Sequence, residues 1–256
     1  MRLLAKKFRN SRFFITLKNS INLKPEFFHK FISDEPLTVS DAFLWRTDNN
    51  LKTKFEFLDI LRVFYKIENS WVEIHIFSKD NKLLKIEKIE NLNIKNFFDI
   101  DKKYLDGLED YGLFYIYHFT KEKLDSGSLV VNRCYLGYSL NDNQYTYIHG
   151  NTYAKFTNTY PGNKIKTNIM ATSLFENQEY ALQQYFDNFD KTELGFSNPT
   201  SKRIKFTIEK KKYILESGCV KLVKVKDPII NIKSNCLLLR PMIFTYRDKY
   251  LDVHHS

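Results

Sequence analysis

Short runs in which apolar and polar residues alternate punctuate the chain, and a period of two predicts strands rather than helices. In WVEIHIF (71–77), Val72, Ile74 and Ile76 alternate with Glu73 and His75. SKDNK (78–82) then supplies an Asp-Asn turn, and LLKIEKI answers as the second arm of a hairpin. NIKNFFDI predicts a further strand, and LFYIYHF (113–119) is strongly β-prone. Residues 128–150 follow as two strands, LVVNRCYLGYS and YTYIHG, around the turn NDNQ. RIKFTI alternates Ile204, Phe206 and Ile208 with Lys205 and Thr207, and YILES, CVKLVKV, PIINIKS and CLLLRPMIFTY continue the series. Helical signals are few. KPEFFHKFI (24–32) has Pro25 and Glu26 in its first turn and Phe27, Phe28, Phe31 and Ile32 at helical spacing. TKFEFLDILRVFY reads as mixed strand and loop, and ATSLFENQEYALQQYFDNFD suits either a helix or paired strands around ENQ.

Roughly a dozen short strands with turns every 8–12 residues argue for an all-β chain rather than alternating βαβ units. The two halves also share an order of parts. WVEIHIF, LLKIEKI, NFFDI and GLFYIYH find counterparts in RIKFTI, KYILES, VKLVKV and PIINIKS. Each half then closes on an Asn/Cys-to-His segment, with Asn132, Cys134 and His149 answering Asn235, Cys236 and His254. The predicted architecture is therefore two tandem antiparallel β-sandwich halves, 37–150 and 151–256, related as a duplication. Ahead of them stand a basic arm and a short N-terminal helix (1–36). The alternative is one large jelly-roll-like sandwich. Asn198, Pro199 and Thr200 before a strand, then a hairpin, Gly218 and a closing strand, occupy 197–225. That element resembles immunoglobulin-like and fibronectin-like β-sandwich modules. The resemblance implies a fold and a binding or spacing role, and carries no activity.

Composition adds three constraints. With 8 Gly and 6 Pro, turns depend on Asn, Asp and Ser. The net charge of +10 is concentrated at the ends: residues 1–33 carry eight Lys/Arg against Glu26, and 201–256 carry thirteen against five acids. Such ends suit a glycan or acidic polymer, with nucleic acid a weaker expectation, although lysine runs are usually solvated surface. The three cysteines form neither a CxxC nor a zinc pattern, which predicts buried structural thiols and fits a reducing, cytoplasmic setting. The acid-poor N-terminus offers organellar import as the alternative. No apolar run approaches the length of a membrane-spanning helix.

Candidate chemistry is sparse, and no cofactor or metal is predicted. His118, His149, His254 and His255 fall at strand ends, but no HxH or HExxH accompanies them, and adjacent residues on a strand face opposite ways. Cys134 with His149 lacks the glycine cluster and electropositive setting of a nucleophile pair. Ser40, Asp41, Trp45, Arg46, Thr47 and Asp48 fit either a sugar-stacking platform or a buried Arg–Asp pair beneath a core Trp. Lys202–Lys212 with Phe206 and Tyr213, and Arg2–Lys18, carry only the non-specific part of nucleic-acid binding. The sequence predicts a non-enzymatic binding or accessory protein for a carbohydrate or other polar ligand. Its expected contacts are Trp45, Arg46, Asp48, Arg133 and His149. The alternatives are a glycan-acting enzyme using Asp41, Asp48 and His149, and a nucleic-acid-contacting or structural β-protein.

Overall fold

The computed structural model describes residues 11, 13, 14, 17, 37–124, 129–131, 134–150, 153–158, 176, 178–183, 189–200, 202–227, 229–236 and 239–255. Most of the expected basic arm, the short helix at 24–32, and Arg133 lie outside the described residues.

Among the described residues, nearly all the regular structure is β. The strands are β1 (Leu37–Asp41), β2 (Phe43–Arg46), β3 (Leu51–Leu58), β4 (Ser70–Ser78), β5 (Leu83–Ile89), β6 (Lys95–Ile100) and β7 (Tyr111–Thr120). There follow β8 (Leu129–Val131), β9 (Cys134–Leu140), β10 (Thr146–His149), β11 (Tyr153–Asn158), β12 (Gln178–Gln183) and β13 (Lys191–Ser197). The last are β14 (Ile204–Ile208), β15 (Lys211–Leu215), β16 (Val220–Val225), β17 (Ile229–Ser234), β18 (Met242–Arg247) and β19 (Tyr250–His255). Strict alternation shapes β3, where Leu51, Thr53, Phe55 and Phe57 are buried and Lys52, Lys54, Glu56 and Leu58 are not. The 71–77 and 83–89 runs form the expected hairpin, and QEYALQ (178–183) is a strand. Helix α1 (Ile60–Tyr65) was not expected: Asp59 caps it by accepting from Arg62 N, and Lys66 at φ 61° closes it in the left-handed conformation.

The strands assemble into four four-stranded antiparallel sheets: I (β2–β7–β4–β5), II (β10–β9–β3–β6), III (β12–β17–β14–β15) and IV (β16–β13–β18–β19). A three-stranded sheet, β11–β1–β8, adds one parallel pair between β1 and β8. The four larger sheets are arranged as the blades of a four-bladed β-propeller, not as two tandem sandwich halves or a jelly roll. The immunoglobulin-like expectation is corrected with them. Neighbouring strands within a sheet are mostly distant in sequence, and the order repeats: 2-7-4-5 with 10-9-3-6 recurs as 12-17-14-15 with 19-18-13-16.

Burial explains why the first half does not close on itself. Its largest core holds Phe43, Trp45, Phe55, Phe114 and Leu136, and Val220, Met242, Phe244, Tyr246 and Val253 complete the same cluster from beyond residue 150. A second core joins sheets III and IV through Leu194, Phe196, Ile204, Phe206 and Ile232. A third, small one seats Ile60 and Leu61 of α1 on Ile67, Leu124 and Val130. Among the described residues, no helix is long and apolar enough to cross a membrane.

The segment that suggested an immunoglobulin-like module is a corner between two sheets. β13 and β16 belong to sheet IV, whereas β14 and β15 between them belong to sheet III. Asn198, fully buried, fastens this corner: its Nδ2 donates to Lys202 O (2.8 Å), Leu215 O (2.8 Å) and Glu216 O (2.9 Å). Its Oδ1 accepts from Thr200 N (3.0 Å) and Thr200 Oγ1 (2.7 Å). Gly218, at φ 73°, donates its N–H to Asn198 O. The Asn-Pro-Thr signal is a structural fastener.

Candidate functional site

Sheet II turns one face inward to the core and one outward to water, and the pairing registers order the outer face in rungs. Along one rung His149 lies opposite Tyr135, Tyr135 opposite Glu56, and Glu56 opposite Phe97. The next rung runs Tyr147, Gly137, Lys54, Asp99, and Ser139 lies opposite Lys52 beyond it. Tyr135 (58% exposed), Phe97 (56%) and Tyr147 (44%) are large rings open to solvent on the same face of the sheet. Other sheets also expose large apolar residues, Ile86, Ile214 and Tyr250 among them, but this face gathers aromatic rings, and rings clustered in the open mark contact surfaces.

Local packing seats two tyrosine rings over Gly137. A Cβ on Gly137 would come within 2.7 Å of Tyr147 Cε1 and 3.1 Å of Tyr145 Cδ1, so the absent side chain makes room for both rings. Those two rings lie 6.0 Å apart between centroids, and Lys54 Nζ sits 4.8 Å from the centre of Tyr145. Partial burial, then a hydrogen bond with Glu56, pushes the Tyr147 hydroxyl up to about 12, so it stays a neutral donor.

Charge on this face is balanced pair by pair. Lys52 is bonded to Asp142, Lys54 Nζ lies 3.8 Å from Asp99, and Lys95 Nζ lies 3.1 Å from Glu56. Beside the tyrosines a groove of about 870 Å³ opens where the β9–β10 and β18–β19 turns meet. Its walls include Asn143, Gln144, Tyr145, Asp248, Lys249 and Tyr250. The turns are tied together by Asn143 Nδ2 donating to Lys249 O (3.0 Å) and Thr146 Oγ1 donating to Leu251 O (2.8 Å).

The residues singled out from sequence fall in different places. Trp45 and Arg46 are both 0% exposed, so the expected sugar platform of Trp45, Arg46 and Asp48 is an interior ion-pair network instead. Trp45 Nε1 donates to Phe77 O at 2.8 Å. Arg46 forks onto Asp48 (Nε to Oδ1 2.9 Å, Nη2 to Oδ2 2.7 Å), reaches Glu193 Oε2 at 2.9 Å and lies over the Phe244 ring. Burial works against its charge, yet these partners, Asp48 foremost, hold the guanidinium more firmly protonated than usual. Glu193 is closed in by Lys191 Nζ (2.7 Å) and the Tyr246 hydroxyl (2.9 Å).

Of the expected contacts among the described residues, His149 stands on the outer face. Cys134, one position before Tyr135 on β9, points into the core, where burial raises its thiol well above the usual range. Cys134 and His149 therefore lie on opposite sides of sheet II and form no catalytic pair. Burial likewise pushes the Cys236 thiol up to about 12. Asp48 is committed to Arg46, which takes it out of an acid–base set with Asp41 and His149. In the basic stripe at 202–212, Phe206 is buried and half-buried Tyr213 is stacked on it at 5.1 Å, so Phe206 is closed to a base and one face of Tyr213 is already taken.

The outer tyrosines were overlooked in the sequence because each reads as ordinary strand material. The available signal was the alternation of Tyr135, Gly137 and Ser139 against Cys134, Leu136 and Tyr138, which puts an aromatic and a glycine on the wet face.

No protein-family model and no curated protein sequence matches the chain. Among solved structures it is similar to the mannose 6-phosphate isomerase from Bacillus subtilis, with 13% identity over 78% of this chain and 71% of that one. The TM-score of 0.21 is too low for that likeness to carry fold or function across.

Proposed function

We propose that this protein binds a neutral carbohydrate on the outer face of sheet II, without chemistry of its own. The observation that carries the reading is the union of solvent-open rings with lysines that are each already matched by a carboxylate. Flat aromatic rings offer apolar faces to sugar C–H groups, and the paired Lys, Glu and Asp side chains offer donors and acceptors to hydroxyls. A polyanion gains affinity chiefly from unneutralised cations that displace its counterions, and this face has none to spare among its described lysines. That favours a neutral glycan over a nucleic acid or an acidic polymer. The adjoining groove adds further rings and polar groups, with Tyr145 and Tyr250 beside Asn143, Gln144, Asp248 and Lys249.

Titration against a panel of neutral oligosaccharides tests the reading. Tyr135→Ala and Tyr147→Ala are each expected to weaken binding about tenfold, near 1.4 kcal/mol. Trp45→Phe should leave binding unchanged, because that ring has no solvent contact. No neutral glycan bound by the intact chain, or a salt-dependent preference for single-stranded nucleic acid, overturns it.

A further inference from the structure

An imidazole pair stands where sheets II and IV meet. His149 ends β10 and His255 ends β19, and these two edge strands hold equivalent places in the repeated strand order. Their side chains meet with Nε2 of one 3.1 Å from Nε2 of the other. The sequence comparison matched His149 with His254, but alternation along β19 turns His254 away, towards Asp252 Oδ2 at 3.4 Å.

The tautomer of His149 follows from its other nitrogen. Nδ1 lies 2.9 Å from the carbonyl oxygen of Gly150, which only accepts, so Nδ1 carries the proton and donates it. In the neutral ring this tautomer has its lone pair on Nε2, the nitrogen that meets His255. A carbonyl holding one ring nitrogen while the other is free to ligate is the usual support of a metal-binding histidine.

Ring placement distinguishes a metal pair from a simple hydrogen bond. With Zn–N bonds of about 2.05 Å, a separation of 3.1 Å subtends roughly 100° at a shared ion, close to tetrahedral. Two rings converging on such an ion have centroids about 4.8 Å apart, whereas two rings meeting head-on across one hydrogen bond have them about 5.5 Å apart. Here the centroids are 4.5 Å apart with the planes at 57°, which is the converging arrangement.

We propose that His149 and His255 form a two-histidine site for a divalent late transition ion of the zinc class, bridging the two hairpins. Among the described residues no third His, Cys, Asp or Glu joins the pair, so water or an external ligand completes the coordination. Imidazole donors favour Zn2+, Ni2+ and Cu2+ over Mg2+ or Ca2+. The Arg240 guanidinium, whose charge acts on His255, opposes a bare cation and favours an anion as the external ligand.

Calorimetric titration of the full chain with Zn2+ is expected to show one saturable site. His149→Gln and His255→Gln should each weaken it roughly tenfold or more, while His254→Gln leaves it unchanged. Metal-free melting curves of the variants establish that each is folded. With one equivalent of Cu2+, electron paramagnetic resonance should report two imidazole nitrogens in the intact chain and one in either variant. That reading on the intact chain stands even where a variant folds poorly. Absence of a saturable site, equal affinity in the two variants and the intact chain, or a spectrum without imidazole nitrogen would overturn the proposal. Glycan binding plays no part in this experiment, so the two ideas stand or fall separately.

Discussion

Arg46 shows how much of this protein hangs on single interior charges. Its guanidinium has no solvent contact and is shared between Asp48, two residues away, and Glu193, on a strand of another sheet. Removing one partner of a buried pair leaves the other uncompensated, at about 3–5 kcal/mol. Arg46→Met is therefore expected to lower stability by about that amount in denaturant unfolding. Glu193 gives the pH counterpart. Burial alone would push its carboxyl up, but Arg46, Lys191 and Tyr246 together hold it below the usual carboxylate range. A carboxyl whose folded pKa lies below its unfolded one adds stability above the unfolded value and loses it as pH falls through the folded one. Acid unfolding followed by circular dichroism should accordingly show a shallower loss below about pH 4.5 in Glu193→Gln than in the intact chain. His255 follows the same sign for a different reason. Burial, then His149 and Arg240, hold its imidazole below the ordinary histidine range, so it resists protonation as pH falls, and the fold loses that contribution on acidification.

At the scale of elements, the corner at 197–218 and the face of sheet II are each governed by one small residue. Asn198 ties three carbonyls of the corner together, of which Lys202 O also accepts from Thr200 Oγ1 and Glu216 O from Cys219 N. Asn198→Ala is expected to cost about 2–3 kcal/mol, since it removes a buried amide that holds both the Leu215 carbonyl and the Thr200 hydroxyl. The midpoint of urea unfolding reads it. Gly137→Val would drive a side chain into Tyr145 and Tyr147, lifting both rings and weakening glycan binding more than it weakens the fold. Parallel titration and melting measurements separate the two effects. The elements themselves were largely legible, because a strand's alternation is a local property: the hairpin at 71–89, β7 and β14–β15 all follow from it. Helix α1 was not, since six residues are too few for a period of 3.6 to declare itself. Its trace was Asp59 as cap, followed by Ile60 and Leu61.

Considered whole, the molecule is held together by cores that ignore sequence order. Phe244 and Tyr246 from β18 complete the cluster around Trp45 and Phe55, two hundred residues earlier in broad terms. Cleavage after residue 150 would strip this cluster of one wall. Thermal unfolding of the intact chain is therefore expected as one transition, with Trp45 fluorescence and far-ultraviolet dichroism superimposing. Two separated transitions would show that the halves fold independently. The amino-acid sequence by itself determined the strands, their wet and dry faces, the turn positions and the common order of parts, all of which depend on neighbours a few residues apart. Only the tertiary structure decided which strands share a sheet, because pairing register joins residues far apart in the chain and leaves no local mark. The same distance buried Trp45 and Arg46, opened the tyrosine face of sheet II, and brought His149 to His255 rather than to His254.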